Sequence, residues 1–260
     1  MINSTYFTYD GVFSGTYGLQ MAEFTGFTPE SVEENDAFSP SLSVLKVPSL
    51  IRFYHGGLEY DSPPTCNFTV VSETVIPIEL RSEILSWLIG RKTFKPLKFH
   101  NDDWEDFDYY CVFTSSSTVY VNGECHGFRL TGSLDSPFAR GVPTTVTSTG
   151  SGTRTVTIQN KSDIRDGYTY PTVQFTGGSI SIINTTDDAS RAFAFSGLTA
   201  GETVTVDCET KTITSTLGGE KLSKFTSKNW LRLRQGQNTL TVTCPGTVTI
   251  TCPWYAMIGY

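Results

Sequence analysis

The residues able to do chemistry are few, and most of the acidic ones crowd one place. Asn101-Asp102-Asp103-Trp104-Glu105-Asp106-Phe107-Asp108 puts five carboxylates into seven residues. Oxygen-rich runs of this kind can hold Ca²⁺, but an EF-hand loop needs a glycine at its sixth position and a glutamate at its twelfth. Counted from Asn101, those positions hold Asp106 and Val112. Paired carboxylates also cleave glycosidic bonds, though only from the two sides of the bond at a set separation. A single run of acids does not supply that geometry, so it reads as a solvated acidic loop. His55, His100 and His126 stand in unrelated contexts, and none has a second histidine at ligand spacing. A serine or cysteine nucleophile needs a positioned base. The chain has no HExxH, no Walker A, no GxSxG and no GxGxxG joining a strand to a helix. The expectation is therefore no catalytic residue, no cofactor-binding residue and no metal ligand.

The six cysteines, Cys66, Cys111, Cys125, Cys208, Cys244 and Cys252, show no CxxC or finger-like spacing. The first residues, Met1-Ile2-Asn3-Ser4-Thr5-Tyr6, lack the basic start and apolar core of a signal peptide. Free buried thiols are then the expected state. The sequons at Asn3, Asn67, Asn160 and Asn184 read as chance in a threonine-rich chain. Tyr168, Tyr170, Trp230, Trp254 and Tyr255 could stack on sugars, which gives an alternative reading: a carbohydrate-binding or host-adhesion module. Most of these aromatics also suit strand cores. An enzyme such as a wall hydrolase lacks a motif.

The elements that would position these residues are mostly strands. Beyond Val142, period-two alternation runs through Thr145–Thr149, Arg154–Ile158, Thr203–Cys208, Leu240–Thr243 and Thr247–Cys252. One apolar and one polar face per strand is the mark of antiparallel sheets. The phase puts Cys244 and Cys252 on apolar faces. Gly177-Gly178 predicts a two-residue hairpin pairing Phe175 with Ile180 and Val173 with Ile182. Pro245-Gly246 predicts a second hairpin, with an odd loop or a bulge to match apolar with apolar residues. These segments predict an antiparallel sandwich; Leu217–Leu233 is ambiguous. In the first half, Pro77–Gly90 carries Leu80, Ile84, Trp87 and Leu88 at helical spacing and predicts one amphipathic helix, with Trp87 as a core anchor. Strands are expected at Leu50–Tyr54, Cys66–Val71, Leu97–Phe99, Tyr109–Phe113, Thr118–Val121 and Phe128–Leu130.

Composition sets the outer limits. The 260 residues are 38% hydrophobic and 17% charged, with net charge −7. The charge is low against about 25% in ordinary domains, which argues against long exposed helices. No run reaches the ~18 apolar residues of a membrane span. The net charge hides a division. Residues 1–142 carry 9 Lys+Arg against 18 Asp+Glu, whereas residues 143–260 carry 10 against 8. Threonine rises from 12 to 26 across the same point, and all three histidines precede it. With the Pro- and Gly-marked stretch Ser136–Pro143, this predicts two domains, 1–140 and 141–260.

Four stretches of the first half resemble the distal tail protein (Dit) family of long, non-contractile-tailed bacteriophages. They are Gly11–Leu19; Lys46–Gly57; the helix ending in Trp87-Leu88; and Lys95–Phe99 with the acidic loop, Tyr109-Tyr110 and Ser136–Ala139. In the second stretch, Ser49-Leu50-Ile51 separates Pro48 from Arg52, a departure from the family's Pro-Gly-Arg core. The second half is similar to the family's galectin-like sandwich at Asn160, Tyr170-Pro171, Phe175–Gly177 and Thr199–Asp207. The resemblance implies a fold that is mainly β: a β-rich ring domain with one helix, followed by a galectin-like antiparallel sandwich. It implies a structural hub at the virion tail tip, assembled in the host cytoplasm, with no catalysis. The partners implied are further copies of itself in a hexameric ring, the tail tube protein, the tail-associated lysin or baseplate hub protein, and receptor-binding proteins. DNA would only transit the channel, with no membrane involved. The acidic balance of residues 1–142 would line that channel with charge that repels phosphates.

Overall fold

Residues 6–22, 41–46, 53–59, 63–100 and 105–257 are described by the structure, a computed structural model. They divide into two compact units, Met1–Ala139 with Met257–Tyr260, and Arg140–Ala256.

In the first unit the chain runs through β1 (Tyr6–Tyr9), β2 (Val12–Phe13), β3 (Gln20–Ala22), β4 (Ser41–Lys46), β5 (Phe53–Glu59), β6 (Thr65–Val71), α1 (Ile78–Ile89), β7 (Lys95–His100), β8 (Tyr109–Val121) and β9 (Glu124–Leu134). Seven strands form one antiparallel sheet in the order β2-β1-β7-β8-β9-β6-β3, and β4 pairs with β5. The helix forms where the apolar spacing requires it. Pro77 stands at its N-cap, where a missing N–H costs nothing, and Ile84, Trp87 and Leu88 are buried. Leu80 packs at the edge of the same core.

Trp87 fastens this helix to the sheet. Its indole N–H donates to the Tyr9 carbonyl at 2.9 Å. Its ring lies parallel to Phe7, with centroids 5.9 Å apart, and 5.2 Å from Tyr17. The sheet side of the core is rich in aromatics, with Tyr9 on Phe113 at 4.8 Å and Phe68 edge-on to Phe7, Phe99 and Phe113. The strands expected at Tyr109–Phe113 and Thr118–Val121 are a single strand, β8, joined to β9 by Asn122-Gly123. Both turn residues have positive φ (51° and 83°), as a type I′ hairpin demands. Register shifts at Phe113/Ser115 and Val119/Tyr120 let the long ribbon bend. Of the strand expected at Leu50–Tyr54, only Phe53 and Tyr54 fall within the described residues, at the start of β5.

The second unit contains β10 (Ala139–Thr149), β11 (Thr153–Asn160), β12 (Thr172–Thr176), β13 (Ile180–Asn184), β14 (Ala192–Phe195), β15 (Thr203–Asp207), β16 (Thr212–Ser215), β17 (Gly236–Thr243) and β18 (Thr247–Ala256). They form a sandwich of a five-stranded sheet, β10-β18-β12-β15-β16, and a four-stranded sheet, β11-β17-β13-β14. Leu217–Leu233 is not a helix; it holds one short 3₁₀ turn at Leu222–Lys224.

Neither predicted hairpin exists. β12 pairs with β15 and β18, whereas β13 pairs with β14 and β17, so Gly177-Gly178 carries the chain from one sheet to the other. Pro245-Gly246 does the same between β17 and β18. The apolar faces of Phe175 and Ile180, and of Val242 and Val248, do meet, but across the core instead of side by side. The glycines serve a different purpose from the one expected. A Cβ on Gly246 would lie 2.0 Å from the Thr176 carbonyl oxygen, so the two crossings touch backbone to backbone. Arg154 closes this end. Its guanidinium donates to the carbonyls of Ser148, Gly150, Cys244 and Gly246 and to the Ser148 hydroxyl, at 2.7 to 3.3 Å. One cation thus satisfies carbonyls at two of the crossings, β10 to β11 and β17 to β18.

On the outer face of the five-stranded sheet, threonines pair across strands: Thr145 with Thr251, Thr147 with Thr249 and Thr149 with Thr247, at 3.0 to 3.2 Å. The low charge content follows, since threonine's branched carbon suits the pleat and its hydroxyl meets water. Replacing Arg154 with methionine keeps the stem and removes the donors. The R154M variant should lose at least about 2–3 kcal/mol of stability, since one charge-assisted bond alone contributes about 1.5–3 kcal/mol; denaturant titration checks this.

Candidate functional site

The residues singled out for chemistry are scattered. Asn101–Trp104 of the acidic run lie outside the described residues, and Glu105 and Asp106 are exposed. Among the described residues no three metal-donating side chains come together. His100 bonds the Thr8 hydroxyl at 2.7 Å and meets Phe13 edge-on. His126 Nδ1 lies 3.2 Å from the Ser72 carbonyl oxygen; the side chain of His55 lies outside the described residues. All six cysteines are free and buried. Cys66 and Cys111 approach to 3.7 Å between sulfurs across Gly132, where a Cβ would meet both sulfurs. Hydrogen bonding to Cys66, then burial, pushes the Cys111 thiol well above its ordinary range, which makes it a packing group and not a nucleophile.

Asn160 and Asn184, the two buried sequon asparagines, are structural. Asn160 donates to the Thr169 hydroxyl and to the Leu233 and Arg234 carbonyls. Asn184 donates to the Arg232 carbonyl and to Asn238 Oδ1.

The five aromatics proposed as sugar platforms are already engaged. Arg232 covers the Tyr168 ring at 3.9 Å. Trp230 packs on Phe225 at 4.8 Å. Tyr170 lies against the core. Tyr255 is buried and donates its hydroxyl to Glu209 at 2.6 Å. Lys161 stands 5.2 Å over Trp254.

Two features remain. On the first unit an apolar patch faces solvent where the start of α1 meets the tip of the β8–β9 ribbon. Ile78 is 63% exposed and Tyr120 58%, with Val75 and Val121 also exposed. They are neighbours: Ile76 N–H donates to the Cys125 carbonyl, Cys125 faces Tyr120 in register, and Arg81 stands over the Tyr120 ring at 6.0 Å. Beside the same helix, Tyr17, Glu79, Ser82, Glu83, Ser86, Trp87 and Arg91 line an open groove. On the second unit, a buried carboxylate holds the turn before β15. Glu202 accepts from the Thr199 N–H at 3.0 Å, from the Ser215 hydroxyl and from Lys221 at 2.7 Å.

These contacts hold surfaces in place. Residues 2–136 match the family model of a phage tail protein N-terminal domain, and residues 138–252 that of a phage tail C-terminal domain. The chain belongs to the phage tail proteins. This tail protein also has the fold of a solved relative. The crystal structure of the Dit protein (gp 19.1) of phage SPP1, described as a paradigm of the hub adsorption apparatus in phages infecting Gram-positive hosts, superposes with a TM-score of 0.67. The match spans 95% of this chain and 98% of that one at 15% identity. No curated protein matches the chain.

The stretch Thr199–Asp207, which carried the family resemblance, now has a physical reason. Gly201 takes positive φ (78°) so that Glu202 can fold back on the turn. The bond from Lys221, with those from Ser215 and Thr199, holds the Glu202 carboxyl down at about 2. A depressed carboxyl contributes stability that is full above its unfolded pKa and lost as pH falls through the folded one. The melting temperature of the second unit should therefore fall between about pH 4.5 and pH 2. An E202Q variant, less stable at neutral pH, should show a flatter profile in a pH series of thermal melts.

Proposed function

We propose that this tail protein is the hub of the tail tip: a homo-hexameric ring that joins the tail tube to the tail-associated lysin or baseplate hub protein and lets DNA pass. The observation that carries the reading is the end-to-end fold likeness to SPP1 Dit, across both units. In this reading residues 1–140 build the ring and dock on the tube, while the sandwich of residues 141–260 projects towards receptor-binding proteins. The role is one of assembly, not catalysis.

Two features of the first unit support it. A closed ring needs a surface on each subunit that gains by leaving water. The patch of Val75, Ile78, Tyr120 and Val121 is such a surface, on a unit whose own core is already filled. The excess of acidic residues over residues 1–142 suits a channel through which DNA slides without sticking.

Electron microscopy of the purified protein, and of phage particles labelled with antibody against it, tests the reading. The expected outcome is a closed ring of copies and label at the tail end distal to the capsid. Label along the tube or on the capsid would overturn it. Replacing Ile78 and Val121 with aspartate should leave a folded subunit, because both side chains are exposed, yet shift light scattering from ring to monomer.

A further inference from the structure

In the second unit, a group of charged residues exceeds what the fold requires. Asp187, with its side chain 3% exposed, accepts from Arg232 Nε at 2.7 Å and from Arg234 Nε at 3.1 Å. Two guanidinium groups thus face the one buried carboxylate. Both cations also converge on Tyr168. Arg232 lies flat on the ring, 3.9 Å from its centroid, and Arg234 lies 5.5 Å away and donates Nη2 to the phenol oxygen at 3.3 Å. The side chains are therefore fixed in two directions, by a carboxylate and by an aromatic face.

The backbone beneath them is fixed as well. Buried Asn160, Asn184 and Asn238 together bond the carbonyls of Arg232, Leu233 and Arg234, and Asn238 Oδ1 accepts from the Arg234 N–H. Thr169 and Leu233 exchange both backbone bonds at 2.8 and 2.9 Å. Three buried amides on three consecutive residues give an unusually rigid base for two surface arginines. Because Asp187 takes only the Nε of each, Nη1 and Nη2 of Arg232 and Nη1 of Arg234 have no partner among the described residues. Arg234 is 54% exposed on its side chain. These donors are pre-positioned and unspent, which is the condition for tight, specific anion recognition.

We propose that Arg232 and Arg234, held by Asp187 and Tyr168, bind a single soluble phosphodiester group. Two guanidinium forks suit a tetrahedral oxyanion, whose oxygens can bridge them, better than a second flat carboxylate. The setting excludes two other phosphate sources. Nucleic acid is held by many cations and by free stacking faces, whereas here the Tyr168 face is occupied by Arg232. An anionic membrane draws polybasic clusters, whereas the neighbouring stretches mix signs, Arg165 with Asp166 and Asp188 with Arg191.

Isothermal titration of the full chain with glycerophosphoglycerol, at constant ionic strength set by sodium chloride, tests this. One saturable site is expected. The R234Q variant should bind about tenfold more weakly, the worth of one charge-assisted bond, and R234K should recover part of the loss. A thermal melt of R234Q unchanged from the parent shows that the fold is intact. No saturable binding, or equal binding by R234Q, overturns the proposal. Binding to phosphatidylglycerol vesicles that depends on Arg234, with none to the soluble diester, overturns it in favour of a membrane. The proposal does not depend on the hub reading, which rests on the fold and on the first unit.

Discussion

Each strand of the second unit has one apolar face, and that face must meet another sheet. From this constraint follow the two sheets, their single shared core and the crossings at one end. Phe175, Val173, Val204 and Val206 point inward from one sheet; Ile180, Ile182, Leu240 and Val242 point inward from the other. A hairpin would have put Phe175 beside Ile180 in one sheet and left the facing layer unfilled. By crossing over, the chain uses successive strands to build opposite walls. The cost is borne by the carbonyls that leave the ladders at the crossings, and Arg154 satisfies them.

The first unit solves the same problem with a helix. Its sheet buries an aromatic face, and α1 covers it with Trp87 at the centre. The indole N–H bonded to the Tyr9 carbonyl ties helix to strand with direction as well as area. The rest of the helix can then carry polar residues on the outside, where they line the groove, and its exposed start can join the ribbon tip in an apolar patch. A scaffold that presents such surfaces suits a phage tail protein, whose parts must hold to one another.

Much of this was legible in the residues. The helix is found where its apolar spacing and Pro77 place it, and the phase of Cys244 and Cys252 placed both in the core, where they lie buried. Asn122-Gly123, between Thr118–Val121 and Phe128–Leu130, is a strong hairpin signal and could have joined those two strands. Gly177-Gly178 carries the same kind of signal and misleads. Local turn chemistry says that the chain reverses; it does not say in which sheet. The aromatics offered two readings, sugar platform or strand core, and only packing separates them: Tyr170 and Trp230 lie against the core, and Arg232 over Tyr168 is invisible in the sequence.

Sequence alone determined many of the strands, the apolar face of each of those and the place of α1, because these depend on neighbours within a few positions. Tertiary structure decided which strands pair, since many pairings satisfy the same alternation and only a filled core distinguishes them. It also decided the polar clusters. Tyr168, Asp187, Arg232 and Arg234 come together from separations of 45 to 66 residues. Nothing local marks them, because their partnership exists only once two sheets and the loops between them have closed.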